Sequence, residues 1–166
     1  PRFAYKITGT TIDVVFLIGT TDNYYDEEGR LKTAQRQKTA DEVIDTTKDF
    51  TVHPAFTNET SINYVNGGWD SELTGIWVAK FEASRNDATS SSAGSGTTVS
   101  SKPGVVSWRS ISVSAMYDYA YNLNRDLDSH LMRNSEWGAV AYLTNAVGRI
   151  PYINNSSSNI TGNAGG

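Results

Sequence analysis

FAYKI, at residues 3–7, sets Phe3, Tyr5 and Ile7 against Ala4 and Lys6, the period-2 alternation of a half-buried strand. After TGTT, the apolar run over residues 12–18 reads as a second strand, more deeply buried than the first. Two such runs joined by a short glycine-containing turn predict a β-hairpin with Gly9 at its bend. A lone hairpin is at best marginally stable in water, so the rest of the 166 residues must cover it. Apolar residues make up 38% of the chain and charged residues 19%, which supports a packed core rather than wholesale disorder. Nine Tyr, five Phe and four Trp supply much of the core-forming area.

Several function classes fall away on composition. The net charge is −4 with no Lys/Arg-rich run, so a phosphate backbone has nothing to bind and no nucleic-acid partner is expected. There are no cysteines, which removes disulfides, thiolate metal sites and cysteine nucleophiles together. His53 and His130 are the only histidines, too few for a multi-histidine metal centre within one chain, and no cofactor is expected. The longest apolar run is far too short to span a bilayer, so no membrane insertion is expected. The opening PRF, without Met, reads as a processed or trimmed N-terminus.

Further along, a second turn is predicted at residues 26–29, where the acidic cluster lacks the ligand spacing of a calcium loop and reads as solvated. Residues 40–75 look irregular and pinned to the core by Phe50, Phe56 and Trp69. GIWVAKFEAS alternates cleanly, with Trp77, Ala79 and Phe81 on one face, and predicts a strand. Residues 84–102 collapse to Ser, Thr, Gly and Ala and read as a flexible insertion inside a single domain. Val113, Met116, Tyr117, Ala120 and Tyr121 recur at helical spacing, with Ser110 or Ser112 as the cap. A second helix is predicted over residues 135–144, capped by Asn134 and stopped near Gly148. Residues 153–166 read as an irregular tail, and no internal repeat is present.

Within RNSEWGAVAYL, Glu136 falls in the first helical turn, where the helix dipole and unpaired N–H groups favour a carboxylate. Trp137, Val140 and Ala141 share a face, which would turn the indole inward. Glu82, Asp126 and Asp128 are available as partners for a general acid, but no spacing selects a pair, and the structural reading of Glu136 prevails. His53 and His130 likewise read as structural. No nucleophile elbow and no P-loop occur. Tyr24, Tyr25, Tyr64, Trp69 and Tyr152 lie in loops rich in Asn, Asp and Gly, where flat rings either plug the core or meet a ligand.

Three ordered blocks resemble the formylglycine-generating-enzyme-like domains: GIWVAKFEAS, KPGVVSWRSISVSAMYDYAYNL and RNSEWGAVAYL. The first is similar to that family's aromatic-x-x-x-K-Y/F-E-V-T strand, the second to its P-V-x-x-V-S-W lead-in to a helix. The third is similar to its T-E-A-E-W helix, with Glu136 and Trp137 at the E-W positions. Uncharacterised surface proteins of Firmicutes and prophages share this likeness. The resemblance implies an α+β fold of the C-type-lectin-like kind, with two helices, twisted antiparallel strands and long irregular loops. It implies structural roles for Glu136, Trp137, Trp77, Phe81 and Trp108, the tryptophan of the E-W pair anchoring its helix in the core.

This chain departs from the family in lacking the copper-binding cysteines, the three-histidine iron centre and the C-terminal strands. The implied function is therefore a non-enzymatic, extracellular display domain of a bacterial surface or phage virion, binding a surface carbohydrate or protein. Tyr24, Tyr25, Asn66, Trp69 and Asp70 are the candidate binding residues. A structural subunit of a phage tail, capsid decoration or pilus-like assembly is the alternative, and a divergent enzyme of the formylglycine-generating type ranks third. The resemblance therefore implies an incomplete domain: either the sequence is a piece of a longer protein, or a neighbouring chain or homo-oligomer completes the sheet.

Overall fold

The computed structural model describes residues 1–39, 41–58 and 67–149. It is α+β, with two helices and small antiparallel sheets. The chain divides into two compact units, Pro1–Ile76 with Asn134–Gly166, and Trp77–Arg133.

The first unit is built on the opening hairpin. β1 (Phe3–Thr8) and β2 (Thr11–Phe16) pair antiparallel from Phe3↔Phe16 to Thr8↔Thr11. Gly9 takes the bend at φ +62°, a conformation that costs a residue without Cβ little. β5 (Thr51–Val52) adds to the other edge of β1, giving the order β2-β1-β5. Because successive side chains point to opposite faces, β1 feeds two cores at once. Phe3 packs with Ala55, Phe56 and Ala139, joined by Tyr5, Val14, Leu73, Tyr142 and Leu143. Ala4 packs on the opposite face with Leu17, Ala34 and Val52, joined by Val15, Tyr24 and Phe50. Both faces of β1 are covered, so Phe3 and Ala4 are each 0% exposed. The expectation that the second strand is the deeper one is reversed. Phe16 is 57% exposed, and among the described residues β2 is an edge strand with a partner on one side only.

The turn predicted at residues 26–29 joins two short strands, β3 (Asn23–Tyr25) and β4 (Leu31–Thr33). Asp26 closes it, accepting from the Arg30 amide at 2.8 Å and from Arg30 Nε at 2.8 Å. A 3-10 turn over Pro54–Phe56 follows β5, and His53 caps it by accepting the Ala55 N–H on Nδ1 at 3.2 Å. The three aromatic pins are in place. Phe50 meets Tyr24 edge-on at 5.4 Å, Phe56 is 1% exposed, and Trp69 Nε1 donates to the Ala55 carbonyl at 2.8 Å.

α2 (Asn134–Ala146) covers the hairpin. It begins at Asn134 rather than after it. At its end Gly148 is left-handed, with Gly148 N–H on the Asn145 carbonyl and Arg149 N–H on the Thr144 carbonyl, the paired bonds of a Schellman stop. Asn145 also ties the helix to the edge strand, accepting the Ile12 N–H at 2.9 Å. The inward face differs from the expected one. Glu136 and Ala139 are buried, and Tyr142 and Leu143 pack on the core, whereas Trp137 is 46% exposed. Gly138 passes beside His53 on this face, and a Cβ built there would sit 3.6 Å from His53 Nε2. That spacing is ordinary contact, so Gly138→Ala is expected to stabilise the protein by about 0.5–1 kcal/mol through helix propensity. A urea midpoint that moves down instead would show that the helix has no such slack against His53.

The second unit contains the segment read as a flexible insertion. β6 (Ala83–Arg85) and β7 (Val99–Ser101) pair antiparallel across it. The Asp87 carboxylate gathers the N–H groups of Ser95, at 2.9 Å, and Gly96, at 3.0 Å. Gly94 is obligatory there: at φ +72° a Cβ would lie 2.2 Å from Asp87 Oδ1. Composition signalled a linker, but one carboxylate and two glycines knit it.

α1 (Val113–Leu123) is the predicted first helix, and Ser112 caps it by accepting the Ala115 N–H at 3.3 Å. Ser110, the other candidate cap, sits at φ +57° just before it. Trp108 lies between the Arg85 guanidinium, 4.3 Å from its ring centroid, and Tyr119 at 4.8 Å.

The strand expected over GIWVAKFEAS is confined to its last residues, where β6 begins. Alternation makes a strand only where a neighbour supplies hydrogen bonds, and among the described residues none pairs with residues 76–80. Trp77 is fully exposed and Phe81 36% exposed, so neither is buried in a core as expected.

Candidate functional site

The most elaborate polar constellation was not foreseen, and it lies at the base of the β3–β4 hairpin. Asp22 immediately precedes β3 and Arg36 follows β4, so pairing of the two strands brings these side chains together. Arg2, just before β1, has a fully buried side chain. Its Nη2 donates to Asp22 Oδ1 at 2.8 Å, its Nη1 to Glu72 Oε2 at 2.6 Å and to the Phe56 carbonyl at 2.8 Å, and its Nε to the Thr21 carbonyl at 3.1 Å. Arg36 completes the ring, with Nη1 on Glu72 Oε1 at 2.6 Å and Nη2 on Asp22 Oδ1 at 2.5 Å. The Asn58 amide donates to Glu72 Oε1 at 3.2 Å. Two guanidinium and two carboxylate groups thus cancel each other in a planar, forked geometry that lysine could not reproduce.

Burial by itself would raise the Glu72 carboxyl. Hydrogen bonds from Arg36 and the Asn58 amide, the Arg36 charge and the bond from Arg2 outweigh it and hold the group below the usual carboxylate range. For Arg36, burial pulls downward, but its bonds to Glu72 and Asp22 and their charges raise it above the ordinary guanidinium value. Both oxygens of Glu72 are doubly engaged, so this carboxylate fixes charge and position rather than exchanging a proton.

Above the ring opens a shallow depression of about 300 Å³, lined by Thr20, Thr21, Asp22, Arg36, Gln37, Lys38 and Glu72. Thr21 is held there as a turn residue, its hydroxyl donating to the Ile18 carbonyl at 2.7 Å and accepting from Asn23 N–H at 3.2 Å. The wall therefore presents hydroxyl, amide, carboxylate and cationic groups on a rigid base. Among the described residues no group of three or more His, Asp or Glu gathers as a metal site.

Of the five expected binding residues, four are described. Tyr24 is half-buried against Phe50, and Trp69 has committed its ring N–H to Ala55. Tyr25, 62% exposed on the same hairpin, and Asp70, also exposed, remain open to solvent. Asn66 lies outside the described residues, as do Tyr64, Tyr152 and the tail at 153–166. Glu136 is buried in the first turn of α2. His53 is 3% exposed within a ring cluster of Phe3, Tyr5, Phe56 and Tyr142. His130 Nδ1 lies 2.5 Å from the Asp128 carbonyl oxygen.

No family model, curated protein or solved structure matches this chain. The ionic ring therefore has to be understood from its own geometry. Its members are scattered at positions 2, 22, 36 and 72, and no motif spacing links them. The one available signal was Arg2, a charge placed directly before the first predicted strand.

No helix among the described residues is long and apolar enough to cross a membrane.

Proposed function

We propose that this protein is a non-enzymatic, extracellular ligand-binding domain with a C-type-lectin-like frame, displaying a polar surface site for a carbohydrate or protein ligand. The observation that carries the reading is the depression over the Arg2–Asp22–Glu72–Arg36 ring, which offers several hydrogen-bonding groups on a base locked by partly buried ion pairs. A site whose polar groups are already ordered loses little entropy on binding. Tyr25, on the hairpin that rises from this site, supplies an exposed aromatic face of the kind sugars and protein surfaces stack upon. Asp70 is carried over from the sequence as a second contact.

The test is a glycan array and a panel of bacterial surfaces probed with the labelled protein and with Tyr25→Ala and Lys38→Ala. Binding that both substitutions weaken by about tenfold, roughly 1.4 kcal/mol, is the expected result. Binding that neither substitution changes would move the site elsewhere.

A second reading, as a structural subunit of a larger assembly, is favoured by a separate observation. α1 has no buried residue, and Val113 (74%), Leu127 (76%) and Trp77 (102%) stand exposed in the Trp77–Arg133 unit. Apolar exposure on that scale marks a surface that another chain or segment covers. Size-exclusion chromatography separates the two readings, since a display domain elutes as a monomer and an assembly subunit as a defined multimer.

A further inference from the structure

His53 occupies a position the binding reading does not use. Its ring is wedged between β1, through Phe3 at 5.1 Å and Tyr5 at 5.7 Å, the 3-10 turn, through Phe56 at 6.1 Å, and α2, through Tyr142 at 5.2 Å. Gly138 of α2 passes close to its Nε2 edge. Nδ1 accepts the Ala55 N–H, so the ring is the neutral tautomer protonated on Nε2. A proton added at Nδ1 would turn that acceptor into a donor, strip the Ala55 N–H of its partner and place a charge among four aromatic rings.

We infer that His53 is an acid-sensitive latch, whose protonation at Nδ1 undocks helix α2 from the sheet. α2 is the element that yields, because the described residues tie it to the strands through side-chain packing of Ala139, Tyr142 and Leu143 and the Asn145 bond to Ile12, with no backbone ladder. β1, by contrast, is paired on both edges.

The groups that face the ring do little to shelter an imidazolium. β1 offers the neutral phenol of Tyr5, and α2 offers Tyr142. Glu136 is buried on the same inward face of α2, and on the 3-10 side Arg2 is bonded to the Phe56 carbonyl. Burial dominates, and it pushes the His53 pKa down to about 4.

The sign follows from linkage. An unfolded or undocked His53 titrates near its ordinary 6.5, and the docked one near 4. Docking is therefore fully stable above 6.5 and is lost as the pH falls from 6.5 towards 4. Across that window the undocked population rises by about tenfold per pH unit.

Amide hydrogen exchange, corrected for intrinsic rates, reads this directly. The expected result is α2 protection below that of the β1 amides, falling by about tenfold per pH unit across the window. His53→Asn keeps an acceptor for the Ala55 N–H and removes the titration, so its α2 protection should be flat with pH. If that variant does not fold, NMR titration of His53 in His130→Gln protein decides, and its midpoint should coincide with the loss of α2 signals. The inference is overturned if α2 and β1 exchange with equal protection at every pH, or if the slope persists in His53→Asn. A His53 that titrates near 6.5 with α2 still docked would overturn it equally.

Discussion

Arg2→Ala should destabilise the Pro1–Ile76/α2 unit by about 3–5 kcal/mol, the range for removing one member of a buried ion pair. For a chain of this size that corresponds to a drop in Tm of roughly 10 °C. The loss has two parts. Asp22 and Glu72 retain Arg36, but each gives up one charge-assisted bond. The Phe56 and Thr21 carbonyls lose their guanidinium donor as well, although Phe56 keeps the Leu73 N–H. Arg2→Lys should recover less than half, because a single ammonium cannot reach four acceptors in a fork. A denaturation midpoint within about 1 kcal/mol of wild type for Arg2→Ala would mean that the desolvation of the guanidinium already cancels its bonds. The polar depression rests on this ring, so the same substitution should also weaken any ligand bound there.

The second large effect concerns two phenylalanines that face each other across one ladder. Phe3 and Phe16 are register partners, yet Phe3 is 0% and Phe16 57% exposed. Phe3→Ala should cost about 3–5 kcal/mol, since it empties the space between Phe56, Ala55 and Ala139 and leaves His53 without its 5.1 Å neighbour. Phe16→Ala should stay within about 0.5 kcal/mol, as expected for an exposed position. Urea unfolding of the two variants measures both at once. Comparable losses would show that Phe16 is covered in solution, and that β2 is not the free edge it is here.

These effects also show how unevenly the structure could be read from the chain. His53 sits in a VHP tripeptide that says only that a turn is near, and a structural reading of it agrees with its burial. Its wedge between a strand and a helix more than eighty positions later had no sequence signal at all. Tyr24 and Trp69 carried the composition of binding residues, but the fold uses them to pin loops. An aromatic in a polar loop looks the same in sequence whether its ring faces a core or a ligand.

What the sequence by itself determined is what short-range physics decides. Alternation and a turn glycine specified the β1–β2 hairpin, the residues 26–29 cluster specified a turn, and the Ser112 cap and the Gly148 stop bounded the two helices. Each depends on groups a few residues apart. Tertiary structure decided the rest, because burial is set by neighbours far along the chain. The same α2 pattern allowed Trp137 or Glu136 to face inward, and the helix docks with Glu136 buried and Trp137 exposed. Likewise the clean alternation of residues 76–80 remained without a ladder among the described residues, since no strand came alongside it. Arg2 reaches Phe56 and Glu72 across sequence separations of 54 and 70 residues, distances over which local propensity carries no information.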